Sequence, residues 1–142
     1  MKSRTMALLA AAVILCMAAA QLIAPLATEA APKVYKVGFI SHLTGDAAVY
    51  GQSMKNGTEI ALDAINSAGG IGGVPVEVIY EDDRLSPADA QTAFLKLVEA
   101  DKVPVILGSA SSTISLSICP KAQEKKVVLV SQVSTEIGRA HV

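Results

Sequence analysis

Tryptophan is absent from this chain, and phenylalanine and tyrosine together make up only 4% of it. A base-stacking platform for single-stranded nucleic acid needs exposed aromatics, so that class is disfavoured. Charge is equally sparse. The formal net charge is −1, and no basic run exceeds Lys125–Lys126. The electrostatic footprint of a nucleic-acid partner is therefore missing. There are two cysteines, Cys16 and Cys119. If Cys16 leaves with a cleaved leader, no internal disulfide can form, and Cys119 has no neighbouring His or Cys to make it a nucleophile or metal ligand. It is expected to be a packed thiol.

Enzyme signatures are lacking too. No G-x-G-x-x-G follows the first strand-like run and no G-K-[ST] occurs anywhere. "GGIGG" (residues 69–73) lies after a helix and before a strand, the wrong place to cradle a phosphate. "GSASS" (108–112) lacks the second glycine of a nucleophile elbow. His42 is a lone loop histidine, and Asp82–Asp83 reads as a solvated turn rather than a metal site. No catalytic residue, cofactor or metal is expected.

What is present begins with a leader. Lys2 and Arg4 precede the uncharged apolar run "MALLAAAVILCMAAA" (6–20), and Thr28 and Ala30 supply small residues at −3 and −1 of a cut after Ala30. Gln21 and Pro25 interrupt the run before the roughly 20 apolar residues that a membrane-spanning helix needs. A lipid anchor at Cys16 would want a small residue before it, where Leu15 stands. Residues 1–30 are thus expected to be a signal peptide. At the other end, "EIGRAHV" (136–142) lacks the apolar pattern of the preceding chain. It matches the translation of a sequencing adapter, GAG ATC GGA AGA GCA CAC GTC, and is set aside from the fold, with Arg139 and His141. The expected folded unit is 31–135.

Within it, "KVYKVGFI" (33–40) is a buried β-strand by its β-branched and aromatic content. Met54, Gly57, Ala61 and Ile65, widened by Ile60 and Ala64, recur at helical spacing and predict a helix over about 50–67, ended by "AGG". A second strand is predicted at 76–81, with Val76, Val78 and Tyr80 on one face. "SPAD" then opens a helix: Ser86 as cap, Pro87 at the first position, Asp89 at the positive end. Its apolar face is Ala90, Ala93, Phe94, Leu97 and Val98. A third strand is predicted at 103–107, a third helix beyond "GSASSTIS" kinked by Pro120, and a fourth strand at 127–130. The β-α-β-α-β-α-β alternation predicts parallel strands in a three-layer, Rossmann-like α/β sheet.

Ligands of such sheets bind beyond the carboxyl ends of the strands, where strand order reverses. Three small-polar loops emerge there: "SHLTGDAAVYG", "GSASS" and "SQVST". The more charged "DDRLSP" is expected to lie to one side. "GSASST" runs into a helix start, where free N–H groups and the dipole favour an anion. Ser111 and Ser112 add hydroxyls, although one serine is accounted for as a plain helix cap. Thr135 adds a third hydroxyl from the last loop, or an ordinary turn.

With these residues assembled, the chain resembles the leucine/branched-chain-amino-acid-binding type of periplasmic solute-binding protein, which serves ATP-driven (ABC) importers. The resemblance covers 34–135 and rests on "VGFISHLTGDAAVYGQSMKNGTEIALDAINSAGGIGG", "YEDDRLSPADAQTAF", "VILGSASS" and "VVLVSQVST". It implies most of the first lobe of a two-lobed type I periplasmic binding fold that closes on a small ligand, an amino acid or related amide. A membrane permease would be its partner. Tyr50 would pack against the ligand, with Gly45 and Gly51 letting its loop bend. Ser112, with Ser111 beside it, would bind the α-carboxylate. Val133 would offer its carbonyl to the ammonium, and Thr135 would contact both groups. A disulfide that some members have between the second and third loops is absent here. The same fold also serves as the extracellular sensor domain of receptors, which is the alternative; an α/β enzyme would need a catalytic cluster not found.

Overall fold

The computed structural model describes residues 33–135. The expected signal peptide, Cys16 and the 136–142 segment lie outside the described residues. Four strands and three helices alternate: β1 (Tyr35–Ser41), α1 (Ala48–Ser67), β2 (Val76–Asp82), α2 (Pro87–Leu95) continued by a π-helical turn (Lys96–Ala100), β3 (Val105–Gly108), α3 (Ser112–Lys125) and β4 (Val128–Val130). All pairings are parallel and the strand order is β2-β1-β3-β4. The chain steps from β1 to β2 on one side, then crosses back over β1 to β3. Right-handed crossovers put the helix before that reversal on one face of the sheet and the later ones on the other.

The packing follows this rule. Ile40 of β1 and Ile106 of β3 join Ala90, Ala93, Phe94 and Leu97 from the second helical segment and Ile114, Ile118 and Ala122 of α3 in one buried cluster. The predicted face of α2 is thus the buried one, Val98 being partly so. Fully burying a side chain such as Phe94 or Ile106 contributes about 1.5–3 kcal/mol. On the opposite face Phe39 meets Tyr80 with ring centroids 5.1 Å apart, and the Lys55 ammonium lies 5.2 Å over the Tyr80 ring. Burial first, then the nearby Glu59 and Asp63 carboxylates, push the Tyr80 hydroxyl above its ordinary pKa.

The stripe expected for α1 is not what faces the sheet. Ile60 and Ile65 are exposed, as are Gly57, Ala61 and Ala64. The sheet-facing line is instead Gly51, Lys55, Thr58, Leu62 and Asn66. Polar residues can take it because their polar atoms are served. Thr58 Oγ1 donates to the Met54 carbonyl. The Asn66 amide donates to the Val76 carbonyl and accepts from the Val76 N–H, each at 2.9 Å. Gly51 lies within α1 rather than in a bending loop, and its contribution is proximity. A Cβ there would come within 2.1 Å of the His42 carbonyl oxygen.

Other expectations shift by a residue or two. β3 begins at Val105, because Pro104 has no N–H to donate to the sheet and the Val103 N–H donates to the Leu97 carbonyl (3.0 Å). Ser86 caps α2 as expected, accepting from the Asp89 N–H with Pro87 behind it. α3 runs through Pro120 to Lys125. Cys119 is exposed, not packed: Ile118 and Ala122 take the buried side of that helix.

Candidate functional site: the carboxyl edge of the sheet

Because the chain winds one way from β1 and the other way to β3, the switch point lies between these strands. The loops after β1, β3 and β4 open at this edge. Gly45, at φ +84°, turns the first of them in a conformation that side chains rarely adopt. The turn delivers the chain into α1, whose first turn carries Tyr50.

Tyr50 and Val133 line one concavity of about 370 Å³, together with Ser53, Met54 and Ala110. Tyr50 is 67% exposed, so this hollow opens to solvent. The family resemblance named Tyr50 and Val133 and did not name the other three. Ser53 and Met54 follow Tyr50 by three and four residues, which is one helical turn on the same face, and that spacing was the available signal. Ala110 sits between the serines already singled out.

At the start of α3, Ser111 occupies the N-cap position in an extended conformation, yet its side chain makes no capping hydrogen bond. The plain-cap explanation of this serine therefore fails. Ser112 Oγ accepts a hydrogen bond from the Thr135 N–H at 3.1 Å, which joins the loop after β3 to the loop after β4. That bond uses a lone pair of Ser112 and leaves its hydroxyl proton available. It also commits the Thr135 N–H, so the Thr135 hydroxyl is the group that remains free there.

The loop after β2 follows an edge strand and lies to one side of the switch point, but it is not simply a solvated turn. Asp83 is completely buried, and its Oδ2 accepts from Ser109 Oγ at 2.6 Å. Its Oδ1 accepts from the Leu85 N–H at 2.8 Å and lies 3.6 Å from Nδ1 of His42, itself 2% exposed. Asp82 turns the other way and accepts from the Leu43 N–H, the Thr44 hydroxyl and the Arg84 N–H. Desolvation pushes the Asp82 carboxyl up, but the Thr44 hydroxyl and the Arg84, Leu43 and Thr44 N–H groups together outweigh it and hold the pKa below its ordinary 3.8. Between the carboxylates' reach, Arg84 and Leu85 both adopt left-handed conformations, at φ 46° and 58°. That conformation costs non-glycine residues roughly 1–2 kcal/mol each, and the two Asp-to-N–H bonds offset it. Nothing local in "DDRLSP" signalled this burial, because Ser109 is 26 positions away.

Among the described residues no group of three His, Cys, Asp or Glu side chains is placed to hold a metal ion, and no helix is long and apolar enough to cross a membrane. The edge therefore offers two kinds of surface side by side: hydroxyls around an uncapped helix start, and an apolar hollow.

A family model described as periplasmic binding protein matches residues 34–141. The chain belongs to the periplasmic binding protein family. A curated relative, a Leu/Ile/Val-binding protein of Rhizobium johnstonii, is 33% identical over 99 residues, 70% of this chain and 27% of the relative. Among solved structures, a branched-chain amino acid transporter substrate-binding protein of Streptococcus pneumoniae, in complex with isoleucine, superposes with a TM-score of 0.72 at 34% identity, covering 75% of this chain and 30% of that one. A solute-binding protein of an ABC transporter from Rhodopseudomonas palustris, in complex with 3,4-dihydroxybenzoic acid, gives 0.63 at 30% identity over 71% of this chain and 27% of that one. The chain spans about a quarter of the length of the curated relatives it matches. The parallel α/β sheet predicted from the alternation is the fold of these binding proteins, and the relatives are binding components of transporters.

Proposed function

We propose that this chain provides the first-lobe half of a binding site for a branched-chain or related amino acid, as the periplasmic substrate-binding component of an ABC importer. The carrying observation is the uncapped start of α3, where Ser111, Ser112 and Thr135 converge beside the apolar hollow of Tyr50, Met54 and Val133. An α-carboxylate suits the N–H groups and dipole of a helix start, and Ser112 and Thr135 donate their hydroxyls to it. The Val133 carbonyl accepts from the ammonium. Tyr50 and Met54 take the apolar side chain, the methionine adapting to its shape. Good small-molecule sites bury about 70–90% of the ligand, so an exposed hollow of this kind works by closing against an opposing lobe. A membrane permease receives the ligand. Binding and release require no chemistry on the ligand, so the protein is not an enzyme. The isoleucine and the dihydroxybenzoic acid held by two similar proteins both carry a carboxylate, the group this edge is suited to receive.

The test is calorimetry with leucine, isoleucine and valine on the protein expressed from the complete reading frame at its locus. Ser112→Ala should weaken binding by about 1–3 kcal/mol, the cost of leaving a charged group short of a partner. No binding of any of the three, or a silent Ser112→Ala, overturns the assignment. Export is checked separately: N-terminal sequencing of the secreted protein should start at Ala31, and a lipid-modified start at Cys16 would contradict cleavage after Ala30.

A further inference from the structure

We propose that Asp83 is a positioning residue for this site: its buried hydrogen bond to Ser109 fixes the loops that carry Ser111, Ser112 and Thr135, without touching the ligand. The inference rests on the binding role proposed above for those three residues. A buried carboxylate is a costly way to fill space, since an apolar side chain of the same volume is often as stable or more so. What the carboxylate adds is direction. It can only accept hydrogen bonds, so the Ser109 hydroxyl must donate its proton to Asp83 Oδ2 (2.6 Å). The Ser109 lone pairs are thereby left to accept from the Ser111 N–H (3.4 Å).

From Ser109 the connections spread to both sides of the site. Its N–H donates to Ser115 Oγ at 3.0 Å inside α3. Its carbonyl accepts from Ser131 Oγ at 3.4 Å, in the loop after β4. Ser131 Oγ and Ser134 Oγ are 2.5 Å apart, and Ser134 Oγ donates back to Ser115 Oγ at 3.2 Å. Thr135 follows Ser134 directly and closes the ring through its N–H to Ser112. The carboxyl end of β1 joins through its last residue, Ser41, whose Oγ accepts from the Ala110 N–H at 3.3 Å. A chain of hydroxyls can run its protons in either sense, and Asp83 is the one side chain in this network whose role, as a carboxylate, cannot reverse.

In the protein from the complete reading frame, Asp83→Asn, Ser109→Ala and the double variant are compared by isoleucine titration and by amide hydrogen exchange without ligand. Each single variant should raise the isoleucine dissociation constant about tenfold. The double should be no weaker than Ser109→Ala alone, because both act through one bond. Ser109→Thr, which keeps the hydroxyl, should stay near wild type. Exchange at the Ser111 and Thr135 amides should accelerate while Phe39 and Ile79 in the strands keep their rates. Additive losses, an unchanged dissociation constant in folded Asp83→Asn, or uniformly faster exchange overturns the proposal, the last showing a merely structural role. If Asp83→Asn fails to fold, Ser109→Ala and Ser109→Thr carry the same comparison. If the wild type ignores isoleucine, the functional reading fails, and the exchange pattern alone decides: selective acceleration supports positioning, and uniform or absent acceleration refutes it.

Discussion

On the α2 and α3 face of the sheet, Phe94, Leu97, Ile106 and Ile118 are wholly removed from water, whereas on the α1 face Ile60 keeps 72% of its surface exposed. The first face is held by continuous apolar packing. The second is held by fewer, more specific contacts: Phe39 against Tyr80 with the Lys55 ammonium over the Tyr80 ring, the close approach of Gly51 to the His42 carbonyl at one end of α1, and the paired Asn66–Val76 hydrogen bonds at the other. The proposed site draws on both. Ser111 and Ser112 begin α3, which belongs to the tightly packed face, while Tyr50, Ser53 and Met54 project from the lightly held α1. In the proposed function, the groups assigned to the carboxylate stand on the stiffer element. Those assigned to the variable ligand side chain stand on the more adaptable one, since low local packing marks the regions that open first.

The sharpest way to break this comparison is in the core. Phe94→Ala should destabilise the protein by about 3–5 kcal/mol, read from urea unfolding. A loss below about 1 kcal/mol would mean the α2 and α3 face does not carry the stability. Gly51→Ala comes next. Its Cβ has only a backbone oxygen to displace, so α1 must shift, at about 1–3 kcal/mol by analogy with overpacked cores. An unchanged unfolding midpoint would show that α1 is looser still than its contacts indicate.

Asp82 gives a smaller, pH-dependent effect. Its carboxyl is held below 3.8 in the folded chain, so its bonds to Leu43, Thr44 and Arg84 stabilise fully above that value. They are lost as the pH falls through the lower folded value. Asp82→Asn should therefore flatten the decline in thermal midpoint below about pH 4 and leave its pH dependence near neutrality unaltered. An identical acid limb in the variant would contradict the bonding described. Smallest of all, Ile60→Ala should fall within about 0.5 kcal/mol of wild type, despite removing a large apolar side chain. A core-sized loss would place Ile60 in packing that the described residues do not show.

The same contrast governs how much was legible in the sequence. The face of α2 was readable because Ala90, Phe94 and Leu97 are apolar and buried together, and its start was readable because Ser86, Pro87 and Asp89 act locally. α1 was misread because periodicity counts apolar residues, whereas Thr58 and Asn66 turn toward the sheet with their hydrogen bonds satisfied. At the carboxyl edge, strand alternation was enough to bring the loops after β1, β3 and β4 together, while Tyr50 and Val133, which line one hollow there, were named only by the family resemblance. The buried Asp83 was not readable, since its burial depends on Ser109 and His42, which reach it only through the order in which the strands assemble.

The central claim is that this edge recognises a carboxylate beside an apolar side chain. It is tested most directly by titrating the protein from the complete reading frame with isoleucine and, in parallel, with isoleucine amide, which keeps the side chain and ammonium but removes the negative charge. The account predicts that isoleucine binds and that the amide binds at least tenfold more weakly, about 1.4 kcal/mol, a gap that narrows in Ser112→Ala. Equal affinity for the two ligands, with no change in the variant, would contradict it.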